Sequence, residues 1–385
     1  MTAPRKSLLC LVTLLVLVGN GVDFESIAAA VDPAYAPVRE PVLGFALERS
    51  KADDRYRLVE LDPTADGPPV WKTIVEGPLD TCEARLIEVL KDRYGTGRLN
   101  LPVGTLGGKQ FWADEFVHAG WRIQHNVYTD HYRLLDPEDE RLAWGSYEAC
   151  RTVFEAHRVQ RKVRPRSDEL VVLLHGLFRS KDSLRKLHKA LEAEGYEVAT
   201  ISYPSTRASI RDHADQLERV LDALEGTRRV SFVTHSLGGI VAREVLARDS
   251  DWRKRIEIGR LVMLGTPNQG SVVAEVLRDW LPYQIVAGKS GQELTLISVA
   301  GVPPPACSFG IIAGGTGDGR GLNPLLPGDN DGTVLVADTR LEGAEDFLLV
   351  PYAHSWLMNE TVVIEATVRF LKEGKFTDPS ERDGD

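Results

Sequence analysis

Four cysteines in 385 residues are too few for a scaffold built on disulfides, and a chain this long does not need one. No segment recurs at a fixed period and no long low-complexity tract interrupts the chain, which excludes solenoids and repeat arrays. Basic charge is in deficit. Lys and Arg number 46 against 56 Asp and Glu, for a net charge of −10. That is the wrong sign for a surface that neutralises phosphates, so a general role in nucleic-acid binding is excluded. Long apolar runs are missing beyond one at the N-terminus, which excludes a protein that crosses a membrane many times. Apolar content itself is not short. With 43% hydrophobic and 26% charged residues the chain has the balance of a folded protein, and its length predicts two or three domains.

The one apolar run, Leu8 to Val18, follows Arg5 and Lys6 and is broken only by Thr13. As a helix it spans about 16 Å, roughly half a bilayer core. The expectation is a cleaved export signal over residues 1–30, with Ala28, Ala29 and Ala30 supplying small residues for cleavage. Export would place the mature protein in the periplasm, the cell envelope or the medium. An uncleaved anchor, which would hold the protein at a membrane, and a buried N-terminal helix are the alternatives. Cleavage removes two positive and two negative charges, so the acidic balance survives. It leaves Cys82, Cys150 and Cys307. An odd number permits one internal disulfide, for which Cys82 and Cys150 are the candidate pair; three reduced thiols are the equal alternative.

The seam of the chain is the basic run 157–169, read as a solvated linker or helix end, which divides an N-terminal region (31–165) from a second region (166–374) and a polar tail (375–385). In the first region, residues 82–94 have helical spacing, and 121–127 and 131–136 read as two short strands. Phe111, Trp112, Phe116 and Trp121 read as core. From Glu169 the pattern becomes strand, helix, strand. Apolar strands are expected at 169–175, 196–203, 230–234 and 260–264, with helices at 183–194, 209–224 and 237–248. Strands with unbroken apolar centres are buried on both faces. The alternation predicts an α/β fold, a mostly parallel sheet with helices on both faces, to whose edge the N-terminal extension adds strands. Active sites in such sheets lie at the carboxyl ends of the strands.

Three features carry chemistry there. Ser236, in Thr-His-Ser-Leu-Gly-Gly (234–239), falls between a β-branched strand and an amphipathic helix, where a sharp turn lifts a serine above the sheet. His175-Gly176-Leu177, at the end of the first apolar strand, makes a turn that aims the Leu177 N–H where negative charge would develop. With the N–H of Leu237 it would form an oxyanion hole. A serine nucleophile needs a base, and of nine histidines only His354 follows Ser236. His235 is read as structural and His175 as a brace for the oxyanion turn. The orienting acid must lie between, where fourteen carboxylates compete. Asp331 stands out because Gly332 turns the chain directly after it, and Asp329 is the alternative. The Gly/Asp-rich run 314–332 lacks the ordered spacing of a calcium loop, and it has no Lys-Ser/Thr for a phosphate loop.

With those residues placed, the chain resembles the α/β-hydrolase superfamily, and within it the lipase/esterase branch that includes bacterial lipases and the GPI-inositol-deacylase-like group. The matching segments are HGLFRS (175–180), FVTHSLGGIVAR (232–243), LGTPNQGS (264–271), DNDGTV (329–334) and PYAHSWLM (351–358). The resemblance covers about 166–374 and implies a Ser236–Asp331–His354 triad, with Leu177 and Leu237 supplying oxyanion N–H groups and no cofactor. One departure stands out: Thr234 occupies the place of the first glycine in G-x-S-x-G. The insertion at 271–306 carries Val276, Leu277, Trp280 and Leu281 at helical spacing, which fits either a cap over an acyl pocket or plain helix packing. The implied activity is hydrolysis of carboxylic esters, with lipid-like acyl esters as the expected substrates. Thioester, amide or acyl-transfer chemistry by the same triad, and a catalytically silent fold used for binding, remain the alternatives.

Overall fold

The computed structural model describes residues 34–38, 45–62, 70–94, 111–127, 129–271, 289–294, 299 and 301–377. The expected export signal, the apolar stretch from Val276 to Leu281 and the chain beyond 377 lie outside those residues. Two compact units divide the chain: 1–100 with 131–163, and 101–130 with 164–385.

The first unit holds an antiparallel sheet of β1 (Tyr35–Pro37), β2 (Phe45–Ser50), β3 (Tyr56–Asp62) and β4 (Val70–Gly77), in that order. It also holds helices α1 (Leu79–Tyr94) and α2 (Tyr147–Gln160) and the antiparallel pair β7 (Tyr132–Leu135) and β8 (Arg141–Gly145). Cys82 on α1 and Cys150 on α2 are buried free thiols, and Cys307 of the second unit is a half-buried free thiol. Burial pushes the Cys150 thiol up to about 12, so it is inert at neutral pH.

The second unit is built on six strands: β9 (Glu169–Leu174), β10 (Glu197–Ile201), β11 (Arg229–His235), β12 (Glu257–Leu264), β13 (Phe309–Gly314) and β14 (Asp346–Val350). Their order is β10-β9-β11-β12-β13-β14 and every pairing is parallel. Parallel neighbours need crossovers, and helices supply them on both faces. On one face α4 (Ile210–Asp222) and α5 (Leu237–Leu246) pack on Leu170, Val172, Leu174, Phe232 and Leu261. On the other, α3 (Arg185–Ala193) and α6 (Thr361–Glu373) cover Val171, Leu173, Val233 and Val262. Adjacent residues of β9 thus feed opposite cores, which explains its continuous apolar run. This is the parallel α/β sheet, covered by helices on both faces, that the strand-helix alternation predicts.

Two boundaries differ from the sequence expectation. Residues 101–130 cluster with the second unit, not with the N-terminal region. Strand β6 (Trp121–Asn126) forms as expected, but it pairs antiparallel with β5 (Trp112–His118), and Phe116 and Trp121 are buried. Strand β5 meets the end of β10 through one backbone bond, Asp114 N–H to Ser202 O at 2.9 Å, and side chains complete the junction. The carboxylate of Asp114, fully buried, accepts from Ser202 N (2.6 Å), Arg122 Nη1 (2.9 Å) and Gln124 Nε2 (2.8 Å). Polar side chains on β5 and β6 take the place of ladder bonds. The second boundary is the tail. Residues 375–377 do not belong to it, because Phe376 is 1% exposed and stacks on Phe370 at 4.7 Å.

Replacing Asp114 with Ala would strand the buried Arg122 cation and the Ser202 N–H. A loss of about 3–5 kcal/mol of stability is expected. Denaturant unfolding checks it, and a change below 1 kcal/mol would contradict the junction's role.

Candidate active site

The turn from β11 into α5 carries Ser236 with φ 54° and ψ −122°. A non-glycine residue in this region stores on the order of 1–3 kcal/mol of strain and persists only where its surroundings hold it. Here they do. Ser236 N–H donates to Leu264 O at 2.9 Å, and Gly239 N–H donates to Ser236 O at 3.0 Å. Thr234 fits without disturbing the turn, its fully buried hydroxyl lying 3.3 Å from Val262 O on the neighbouring strand.

Directly after Leu264 comes Gly265, at φ 56°, and it is the floor on which the other two residues rest. A β-carbon there would sit 3.0 Å from His354 Nδ1 and 3.3 Å from Asp331 Oδ2. The carbonyl that holds Ser236 and the glycine that seats His354 and Asp331 are therefore consecutive residues. His354 Nδ1 and Asp331 Oδ2 are 2.6 Å apart. A carboxylate only accepts, so Nδ1 carries the proton and Nε2 presents a lone pair. Asp331 is itself fixed: Oδ1 accepts from Thr333 N (3.0 Å) and Val334 N (2.8 Å), and its carbonyl accepts His354 N–H (2.9 Å). Asp329 does not reach the histidine. Its carboxylate takes Thr316 N (2.7 Å) and Gly317 N (2.9 Å) and ties off the preceding loop.

The turn after β9 reaches the same place. A β-carbon on Gly176 would lie 3.0 Å from Ser236 Cβ and 2.8 Å from His235 Nδ1, so only glycine lets the two loops touch. Leu177 follows it, half-buried against the core. Leu237 opens α5, where an N–H has no intrahelical carbonyl to bond. The His175 ring stacks on Tyr203 at 4.2 Å, its Nδ1 donates to Gly176 O at 2.9 Å, and the Tyr203 hydroxyl donates to its carbonyl. Burial drives the His175 pKa down to about 4, so it is a neutral brace.

His235 and Arg243 meet backbone carbonyls, partners that no sequence motif announces. His235 is buried and burial pushes it well below the ordinary histidine range; its Nε2 lies 3.0 Å from His354 O. Arg243, on α5, donates to Asn268 O (3.0 Å) and Oδ1 (3.1 Å), and to Val302 O, bracing the segment after Gly265. Among the described residues no cluster of His, Cys, Asp or Glu is arranged to hold a metal ion. Among them, too, no helix is long and apolar enough to cross a membrane.

Residues 139–281 match a family model described as a domain of unknown function, DUF7379. No curated protein matches the chain. Among solved structures it is similar to the lipase BlEst2 of Bacillus licheniformis in mature form, at 20% identity over 55% of this chain and 94% of that one, TM-score 0.45. It is similar to the metagenomic carboxyl esterase MGS0156, at 18% identity over 55% and 79%, TM-score 0.42. A third likeness is to phospholipase PlaB of Legionella pneumophila, at 18% identity over 45% of each chain, TM-score 0.36.

Proposed function

We propose that the protein is a serine hydrolase of carboxylic esters, with lipid-like acyl esters as its substrates. Ser236 is the nucleophile, His354 the general base and Asp331 the residue that orients it. His354 Nε2 takes the proton of the Ser236 hydroxyl as Oγ bonds to the substrate carbonyl carbon. The oxyanion is held by the N–H groups of Leu177 and Leu237. Collapse of the tetrahedral intermediate breaks the ester C–O bond, and the alcohol leaves with the proton from His354. Water, deprotonated by the same imidazole, then releases the acid and frees Ser236.

The observation that carries this reading is the strained turn at Ser236, bonded to the carbonyl of Leu264 while the next residue, Gly265, seats the His354–Asp331 pair. An ordinary N-cap serine needs no such backbone. Phe178 and Trp356, two residues beyond Gly176 and His354, are 52% and 64% exposed, which suits an apolar acyl chain. The wild-type protein is expected to hydrolyse p-nitrophenyl esters and to label with a fluorophosphonate probe; Ser236→Ala does neither above background. Labelling that survives Ser236→Ala would sink the assignment.

A further inference from the structure

His354 is pinned at three points, and only two belong to Asp331. Its N–H donates to Asp331 O and its Nδ1–H to Asp331 Oδ2. The third is its own carbonyl, 3.0 Å from His235 Nε2. A carbonyl only accepts, so His235 carries its proton on Nε2 and donates it. The two rings lie 4.7 Å apart between centroids. The other ring nitrogen, Nδ1, is buried with no hydrogen-bond partner and faces the space that Gly176 leaves empty.

We infer that His235 is a positioning residue for the base: it is the strut, carried by the elbow itself, that sets the distance between Ser236 and His354. Resting on the serine-hydrolase reading, this gives the residue before the nucleophile a task that chemistry alone does not require. Nucleophile and base come from strands β11 and β14, which are not neighbours in the sheet. Without the strut, their spacing would be set through the Leu264-Gly265 segment and the Asp331 loop. With it, one residue of backbone separates the nucleophile from a direct bond to the base's own main chain. The strut must also stay uncharged while His354 holds the transferred proton, since a second cation 4.7 Å away would oppose that charge. Complete burial keeps the His235 ring neutral, and the charges of His354, Arg179 and His175 act in the same direction.

Two full-length variants separate the donor from the ring. His235→Gln keeps an N–H close to the Nε2 position and loses the ring; His235→Phe keeps the ring and loses the donor. His235→Phe is expected to lower kcat by about 10- to 100-fold with KM nearly unchanged, the cost of a base misplaced by a fraction of an ångström. His235→Gln is expected to recover most of it. The low-field proton resonance of His354 Nδ1–H should broaden in His235→Phe and stay sharp in His235→Gln. Wild-type kcat and a sharp resonance in His235→Phe would overturn the strut, as would a His235→Gln variant as impaired as His235→Phe at wild-type melting temperature. If His235→Phe does not fold, His235→Gln decides alone: retained kcat and resonance support the strut, and loss of both overturns it. A wild-type protein without Ser236-dependent ester turnover, whose resonance still follows the donor, would sink the ester reading and leave the strut standing.

Discussion

Asp331→Asn is expected to reduce kcat by about 10⁴-fold while Asp329→Asn, two residues away, leaves it nearly unchanged. The asymmetry follows from which atoms each carboxylate faces. Asp331 Oδ2 meets His354 Nδ1 at 2.6 Å, and Oδ1 is held by the N–H groups of Thr333 and Val334. An asparagine keeps the shape. Its oxygen stays with those two N–H donors, so its NH2 is turned toward the ring. Facing a donor, the imidazole moves its proton to Nε2, the atom that should accept from Ser236, and the base is lost without loss of fold. Asp331→Asn should therefore melt close to the wild type. Asp329 faces Thr316 and Gly317, on the far side of its loop, and an asparagine there can still accept from one of them. Turnover of a p-nitrophenyl ester, measured beside thermal melting, checks both variants. Wild-type kcat in Asp331→Asn, or a collapse confined to Asp329→Asn, would remove Asp331 from the mechanism.

Residue order put both members of the His354–Asp331 pair forward as candidates: only one histidine follows Ser236, a glycine follows Asp331 among fourteen carboxylates, and the structure sets His354 Nδ1 2.6 Å from Asp331 Oδ2. The sheet was equally open to reading. Leu170 to Leu174 is continuous because alternate residues enter two different cores, and only a strand covered on both faces tolerates that. The antiparallel sheet of β1 to β4 was hidden by charge. Its strands carry Glu48 and Arg57, charges that interrupt the apolar pattern of a half-buried strand, and Arg57 Nη2 lies 2.7 Å from Glu48 across the pair. The role of His235 was hidden for another reason. Successive strand side chains point to opposite faces, so a residue beside the nucleophile reads as turned away. Its Nε2 meets a main-chain carbonyl instead, and no pattern of side chains announces a backbone acceptor. Phe376 was missed because one apolar residue in a polar stretch gives no periodicity to detect.

The buried histidines of the second unit should also make it labile in mild acid. Burial lowers His175 to about 4 and His213 to about 3, and it drives His235 well below the ordinary value near 6.5. In the unfolded chain all three bind protons as pH falls through 6.5. The folded unit refuses protons at His175 and His213 until pH reaches about 4 or less, and His235 likewise stays neutral well below the ordinary range. Between those limits the unfolded state holds more protons, so stability falls as pH falls. Each histidine contributes about 1.4 kcal/mol per pH unit once its unfolded form is protonated, so the three together approach about 4 kcal/mol per unit near pH 5. Ordinary carboxylates titrate mostly below this window and cannot mask the slope. At roughly 2–4 °C per kcal/mol for a unit of this size, the melting temperature should drop by ten degrees or more between pH 7 and pH 5. His213 offers the control. Its Nε2 meets Ser290 Oγ at 3.0 Å, a partner outside the proposed triad, so His213→Gln keeps a polar partner for Ser290 and removes one titrating group. The slope should lessen by about a third while ester turnover at pH 7.5 persists. A melting temperature flat from pH 7 to pH 5 would mean that these rings accept protons in the folded state, and the neutral braces behind the oxyanion turn and the base would have to be abandoned together.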